Sequence, residues 1–184
     1  MKELSLHILD ITQNSIRAGA TLVTLTIHED ILANVLEIIV EDNGKGISKE
    51  MLPEITNPFV TTRTTRKIGL GLSLFKEAAE TCGGHFEIQS EEGRGTRVFA
   101  SFEHNHIDRV PLGDMPQTVV TMLLSFNGAE LVYHHCYNGY TFTFDTREIR
   151  SVLGEEIALN DPDILNWIRE YVQDGLKEIM EETS

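Results

Sequence analysis

Apolar and polar residues alternate with two different periods along the first hundred residues. Residues 4–18 have the spacing of an amphipathic helix, which Gly19 is expected to end. Strict alternation, typical of half-buried strands, recurs in pairs. The pattern predicts strands at 21–27 and 34–42, a helix at 69–84, and strands at 85–90 and 96–102. This order predicts an α/β (α+β) fold, a two-layer sandwich with helices on one face of a mixed sheet.

A second set of elements is predicted beyond residue 116. It comprises a helix at 117–126, a hairpin at 130–145 turning on Asn138-Gly139, and a helix at 160–182 capped by Asp161, with its buried face at Ile164, Ile168, Val172, Leu176 and Ile179. The stretch before it is punctuated by proline and glycine, which indicates a linker. We therefore expect an N-terminal domain at 1–103, a linker at 104–116 and a small α/β module at 117–184 whose function the sequence does not indicate.

Charge and composition narrow the classes of partner. The formal net charge of −14 disfavours sequence-independent binding to nucleic acid or to anionic membranes, both of which need clustered Lys and Arg. No apolar run approaches the roughly 18 residues of a membrane span, and the first ten residues lack a signal-peptide core. A cytoplasmic protein is expected. The triplet His134 to Cys136 does not favour a metal site, because strand alternation turns His135 away from its neighbours.

The polar face of the first helix is the first candidate site. Asp10, Asn14 and Arg17 share one narrow face at about 100° per residue, and His7 joins them. These residues are either the solvated side of an ordinary amphipathic helix or the holder of a ligand.

The segment VEDNGKGI is the second candidate. Asp42 follows a buried strand, and its carboxylate could accept a hydrogen bond from an exocyclic amine such as adenine N6. Gly44 and Gly46 would let the backbone approach a flat ring closely. The alternative is a plain Asp-Asn-Gly turn.

The segment RKIGLGLSL is the third candidate. Gly69 and Gly71 lead into a helix whose unpaired amides could bind phosphate oxygens, although the spacing is not that of a P-loop. Just before it, TTRTTRK concentrates positive charge, and Arg63 and Lys67 are our own candidates for phosphate contacts. The alternative for this charged run is a solvated loop.

These segments occur together in one order. DITQN, DNGKGI, NPFVTTR, GLGLSL and EGRGT resemble the N, G1, F, G2 and G3 elements of the GHKL (Bergerat-fold) ATP-binding family, which includes gyrase B, Hsp90, histidine kinases and MutL. The resemblance covers about residues 4–103. It is closest to the catalytic domain of sensor histidine kinases of the nitrogen-regulator type, through PFVTTR before GLGLSL and GGHFEIQSEEGRGTRVFASF after it.

The resemblance implies ATP and Mg²⁺ as cofactors and assigns roles to single residues. Asn14 would bind Mg²⁺, and Asp42 would bind the adenine amine in a pocket shaped by Gly44 and Gly46. The remaining assignments are Phe59 as anchor of a lid, Gly69 and Gly71 as phosphate-binding amides, and Thr96 near adenine. Asp10 lies four residues before Asn14, where hydrolysing and serine-phosphorylating members carry a Glu general base. The alternative for Asp10 is a solvated residue without a catalytic part.

The chain also departs from a sensor kinase. It begins almost at the first of these elements, and His28 lacks the Pro and basic residue expected after a phosphoacceptor. We therefore expect an Mg-ATP-binding signalling protein that phosphorylates or regulates a partner protein in trans. The alternatives are a slowly hydrolysing conformational switch of the gyrase or MutL kind, and a non-catalytic ATP-sensing module. The sequence leaves open a homodimer and the identity of the partner.

Overall fold

The structure is a computed structural model that describes residues 1–57 and 69–183. Its elements are α1 (Leu4–Arg17), β1 (Leu22–Asp30), β2 (Val35–Asp42), α2 (Leu52–Ile55), α3 (Gly69–Thr81), β3 (Phe86–Glu91), β4 (Gly95–Glu103), α4 (Met115–Ser125), β5 (Glu130–Tyr137), β6 (Tyr140–Asp145), α5 (Thr146–Leu153) and α6 (Pro162–Glu181). Each helix and strand predicted from the pattern is present to within a few residues. The short helices α2 and α5 were not predicted.

Six strands form one mixed sheet in the order β3-β4-β2-β1-β5-β6. Neighbouring strands are antiparallel except for β1 and β5, which are parallel. Along β1 every second side chain is buried, which shows that one face of the sheet carries the core. Helices α3, α1, α4 and α6 form a row with each neighbouring pair in contact. The predicted fold class, helices layered on a mixed sheet, is confirmed.

The segment after residue 116 extends this sheet. Strand β5 pairs with β1 in a register that places Leu131 beside Val23 and Tyr133 beside Leu25, and all four side chains are fully buried. Its apolar residues therefore continue the hydrophobic core across the parallel seam. That 117–184 is a separate module stays a prediction.

The predicted linker is bonded to the first helix. The carbonyl oxygens of Pro111 and Leu112 accept hydrogen bonds from the amides of Leu4 (3.0 Å) and Ser5 (2.8 Å). First-turn amides of a helix have no partner within the helix, so these contacts stabilise the start of α1. Asp114 then caps α4 by accepting from the amide of Gln117 at 2.9 Å.

Local predictions about turns and caps are confirmed. Gly19 has a φ of 76° directly after α1, and both Asn138 and Gly139 have positive φ in the hairpin turn. Asp161 caps α6 by accepting from the amides of Asp163 and Ile164. Four of the five predicted core residues of α6 are buried, the fifth, Ile164, is partly buried against the same core, and Leu165, which was not predicted, is buried as well.

A buried polar network joins β1, β5 and the segment after β4. Glu29 Oε1 and Oε2 each lie 2.8 Å from an imidazole nitrogen, Nε2 of His135 and Nε2 of His104 respectively. His135 Nδ1 is 2.6 Å from the hydroxyl of Tyr133. As predicted, His135 points away from the part-exposed His134 and Cys136. Burial raises the pKa of Glu29 by itself, but the bonds from the two histidines outweigh it and leave this pKa below its ordinary value of 4.5.

This shift predicts acid sensitivity. Because the pKa of Glu29 is lowered by folding, its stabilisation is present above pH 4.5 and is lost as pH falls through the folded value. The free energy of unfolding of the wild type, measured with urea, should therefore fall below about pH 4.5. Glu29→Gln should lower this free energy by about 2 kcal/mol at pH 7 and make it depend less on pH in the acid range. The control is Glu37→Gln, which removes a part-exposed carboxylate paired with His28. Equal acid dependence in wild type and Glu29→Gln would contradict the prediction.

Candidate functional site

A cavity opens where α1, the end of β2 and the first turns of α3 meet. Its apolar walls come from α1, the loop after β2, α3 and β4; the residues are Ile11, Ile47, Leu72 and Val98. Four residues predicted to contact a nucleotide line the same cavity: Asn14, Asp42, Gly46 and Thr96. The structure therefore brings together side chains from distant parts of the sequence around one apolar hollow, as in a small-molecule site.

Asp42 is held at the wall of this cavity by two donors. Its Oδ2 accepts a hydrogen bond from the Ser15 hydroxyl at 2.6 Å, and its Oδ1 accepts one from the Gly44 amide at 2.9 Å. It ends β2 in the same alternation phase as Ile38 and Val40, whose side chains face the helices. A carboxylate oxygen has more than one lone pair, so each retains capacity for a further donor.

The glycines after Asp42 allow close backbone approaches. Gly46 has a φ of 71°, and a Cβ atom there would lie 2.1 Å from the carbonyl oxygen of Glu91. A Cβ at Gly44 would lie 2.9 Å from the carbonyl oxygen of Ala18. The loop after β2 therefore fits tightly between α1 and the β3–β4 turn, where a side chain larger than hydrogen would clash.

Thr96 belongs to a small hydroxyl cluster at the edge of the cavity. Its hydroxyl is 2.8 Å from that of Ser90, and Ser90 also contacts the carbonyl of Gly95 and the amide of Ile47. These bonds tie β3 and β4 to the loop that carries Gly46. Thr96 thus lines the cavity and helps to hold its wall.

Asn14 and Asp10 lie one helical turn apart on α1. Asn14 lines the cavity, and its Oδ1 is 3.4 Å from Nη1 of Arg17. Asp10 does not line the cavity, but its Oδ2 would be 3.5 Å from a Cβ at Gly71, in the first turn of α3. The Asp10 carboxylate therefore lies beside Gly71 at the N-terminus of α3, where the backbone partial charge is positive.

The oxygen donors suit a hard cation. The amide oxygen of Asn14 is a ligand that Mg²⁺ accepts, and Mg²⁺ commonly takes only one or two protein ligands together with waters and phosphates. Within 1–57 and 69–183, no cluster of three or more His, Cys, Asp or Glu side chains could hold a metal ion by itself. The Asn14 oxygen is chemically compatible with a magnesium ion whose other ligands are waters and phosphate oxygens.

The other predicted residues differ in where they lie. Gly69 is the first residue of α3, as the helix prediction required. Phe59, Arg63 and Lys67 lie outside the described residues. The prediction that His7 lies on the polar face was wrong: the residue is 4% exposed, and its ring stacks on Phe75 with 5.2 Å between the ring centroids. Phe75 covers this turn of α1, so His7 belongs to the core and is not part of the cavity.

Two polar residues of the site were missed in the sequence. The apolar spacing of α1 places Ser15 on the buried side of the helix, and Lys45 stands between the two glycines of the second candidate segment; neither residue was assigned a role, yet both line the cavity. Ser15 carried a signal, since a hydroxyl within an apolar stripe needs a partner once it is buried. Its partner, 27 positions away, could not be inferred from helical spacing.

The comparison with known families decides the classification. Residues 2–106 match the family described as histidine kinase-, DNA gyrase B- and HSP90-like ATPase. The chain belongs to this family. The matched region contains every predicted site residue, from Asp10 to Thr96, and ends just after β4.

Relatives within this ATPase family include sensor kinases. Sporulation kinase D of Bacillus subtilis is 41% identical over 91 residues, which are 50% of this chain and 18% of that protein. The sensory histidine kinase/phosphatase NtrB of Rhizobium leguminosarum bv. phaseoli is 41% identical over 61 residues, 33% of this chain and 16% of that protein. The chain thus spans less than a fifth of the length of these relatives.

A solved structure of the same kind is also similar. The catalytic domain of histidine kinase ThkA is 25% identical, with a TM-score of 0.44, and the match covers 56% of this chain and 68% of that one.

Among the residues that the structure describes, no helix is both long enough and apolar enough to cross a membrane.

Proposed function

We propose that this chain binds Mg-ATP in the cavity between α1, β2 and α3. The observation that carries the proposal is the Asp42 carboxylate, which two donors orient at the wall of an apolar hollow. A carboxylate accepts from an amine and is repelled by a carbonyl oxygen, so it favours adenine over bases with a carbonyl at the same position. Gly44 and Gly46 shape the backbone around the base, and Thr96 lies beside it.

The phosphates are assigned to the other side of the cavity. The N-terminus of α3 supplies backbone amides at Gly69 and Gly71, and Asn14 supplies an oxygen for Mg²⁺. Bound Mg²⁺ would neutralise the charge that develops on the phosphates. Arg63 and Lys67 are proposed to add positive charge, on the grounds of sequence alone.

We place the phosphoacceptor or regulated group on a partner protein. His28 is followed by an acidic residue, as in a phosphoacceptor motif, although the rest of that motif is missing. It lies on β1 between Ile27 and Glu29, whose side chains face the core. Its side chain therefore projects from the sheet face opposite to Asp42 and contacts Glu37. This geometry argues against transfer to His28 of the same molecule.

A second candidate function is ATP hydrolysis that drives a conformational switch. It is favoured by Asp10, whose carboxylate lies beside the N-terminus of α3, where the terminal phosphate is expected. A carboxylate in that place could take a proton from attacking water. A third candidate, nucleotide sensing without turnover, uses the same cavity and needs no base.

Radiolabelled ATP separates these functions. The purified chain is incubated with γ-labelled ATP and Mg²⁺, alone and with cell extract, and both free phosphate and protein-bound label are followed. If Asp10 is the base for hydrolysis, Asp10→Asn should lower phosphate release about 100-fold and leave ATP affinity within about threefold. The control Asp174→Asn removes a solvent-exposed carboxylate on α6 and should change neither quantity.

Each outcome selects one function. Label on an extract protein that disappears with Asn14→Ala supports a kinase acting in trans. Phosphate released by the pure chain and lost in Asp10→Asn supports the switch, whereas unchanged release removes Asp10 as the base. Binding without either product supports the sensing module, and absence of binding contradicts all three.

A further inference from the structure

Ser15 bridges the two layers of the fold at the candidate site. It lies on the buried side of α1 with 3% of its surface exposed, and its hydroxyl oxygen is 2.6 Å from Asp42 Oδ2 on β2. The carbonyl oxygen of Ile11, in the preceding turn, is 3.3 Å away. A hydroxyl has one hydrogen to donate, and the shorter contact to a charged acceptor is the stronger one. Ser15 therefore donates to Asp42.

This bond fixes the direction of the Asp42 carboxylate. With Gly44 donating to Oδ1 and Ser15 to Oδ2, rotation of the carboxylate would break one bond or both. The lone pairs that remain are directed by these two donors, and they can only accept. A purine with an amine at C6 can donate to such a group, whereas a purine with a carbonyl at C6 meets it oxygen to oxygen.

We propose that Ser15 is a positioning residue that sets the selectivity of the site for 6-aminopurine over 6-oxopurine nucleotides. It acts through Asp42 and needs no contact with the base. This inference rests on the proposed function, because it requires the purine to bind against Asp42. Without the hydroxyl, the carboxylate loses one of its two donors and its alignment to the amine.

The fold does not depend on this bond alone. The loop after β2 is also tied to α1 by the amide of Lys45, which donates to the carbonyl of Ala18 at 2.9 Å. The side chain of Asn43 ties the same loop to the start of β1 by accepting from the amides of Thr21 and Leu22. Ser15→Ala is therefore expected to fold, with its effect confined to the carboxylate.

The test compares two nucleotides that differ at C6. Dissociation constants for ATP and inosine triphosphate are measured by calorimetry with Mg²⁺ for the wild type, Ser15→Ala and Ser15→Thr. Ser15→Ala should weaken ATP about tenfold and inosine triphosphate less than about twofold, so the ratio of the two constants falls. Ser15→Thr keeps the hydroxyl and should keep the ratio.

The matched control is Thr12→Val on the same helix. Thr12 is fully buried, and its hydroxyl donates to a carbonyl of its own helix, that of Leu9, at 3.1 Å. Its loss should leave the ratio unchanged, which separates a general effect of removing a buried hydroxyl from the effect on Asp42. Thermal unfolding of each variant is measured to test whether the fold is retained.

The outcomes distinguish this inference from the proposed function. If Ser15→Ala lowers the affinity for both nucleotides equally, or for neither, the positioning role is wrong, although the wild type still binds ATP. A wild type that binds neither nucleotide overturns the proposed function and this inference together. A selective loss of ATP that Ser15→Thr restores supports the proposal.

Discussion

Asp42→Asn should weaken ATP binding about 100-fold with little change in thermal stability. The substitution preserves shape and keeps an oxygen for the Gly44 amide, but it places an NH₂ group where Oδ2 accepts from Ser15. The new NH₂ group and the adenine amine are then both donors and cannot form a hydrogen bond. The negative charge that strengthened the bond from the adenine amine is also removed. Calorimetric titration with Mg-ATP measures the loss directly.

The neighbouring carboxylate provides the control for this prediction. Glu41 precedes Asp42 on β2, is exposed, and lies 3.6 Å from Arg97. Glu41→Gln therefore removes the same charge one residue away and should leave affinity within about twofold, since exposed ion pairs contribute little. If Asp42→Asn bound ATP as tightly as Glu41→Gln does, the assignment of Asp42 to adenine would be wrong.

Gly46→Ala should destabilise the fold by about 3 kcal/mol or more and abolish nucleotide binding. A methyl group there would lie 2.1 Å from the carbonyl oxygen of Glu91, and the backbone φ of 71° disfavours any side chain. The loop can relieve the clash only by moving away from the β3–β4 turn. That movement would break the bond between the Lys45 carbonyl and the Gly93 amide, which measures 2.7 Å.

Gly93→Ala separates strain from close contact. Gly93 lies in the same turn and has a φ of 80°, but a Cβ there would have no neighbour within 4 Å. Its substitution should cost about 1 kcal/mol, because only the backbone conformation is disfavoured. Urea unfolding measures both variants. Equal losses of stability would show that the close approach to Glu91 contributes nothing.

Much of the secondary structure could be predicted because its causes are local. The alternation in β1 and β2, the glycine after α1 and the Asn138-Gly139 turn each depend on neighbouring residues only. Helix α5 was not predicted because its eight residues carry only three apolar side chains, those of Ile149, Val152 and Leu153, which are too few to establish a helical period. The helix is stabilised instead by polar contacts: Asp145 accepts from the amide of Arg147, and Arg150 donates to Glu130 on β5.

The candidate site could be predicted in part. The order of five short motifs indicated the family, and the structure brings Asn14, Asp42, Gly46 and Thr96 to one cavity. The roles of these residues stay predictions until a nucleotide is tested. Ser15 and the buried His7 escaped prediction, because whether a polar residue on a helix faces a ligand, the core or water depends on what covers that helix.

The sequence by itself determined the family, the type of nearly every element and the segments that carry the chemistry. Periodicity, turn residues and motif spacing are properties of neighbours along the chain, and so they are visible without a fold. Only the tertiary structure decided that β5 lies parallel to β1, that Glu29 meets two histidines, and that Ser15 holds Asp42. These contacts join residues from 27 to 108 positions apart along the chain. Packing of the helices on the sheet selects them among the many pairings that local sequence patterns would equally allow.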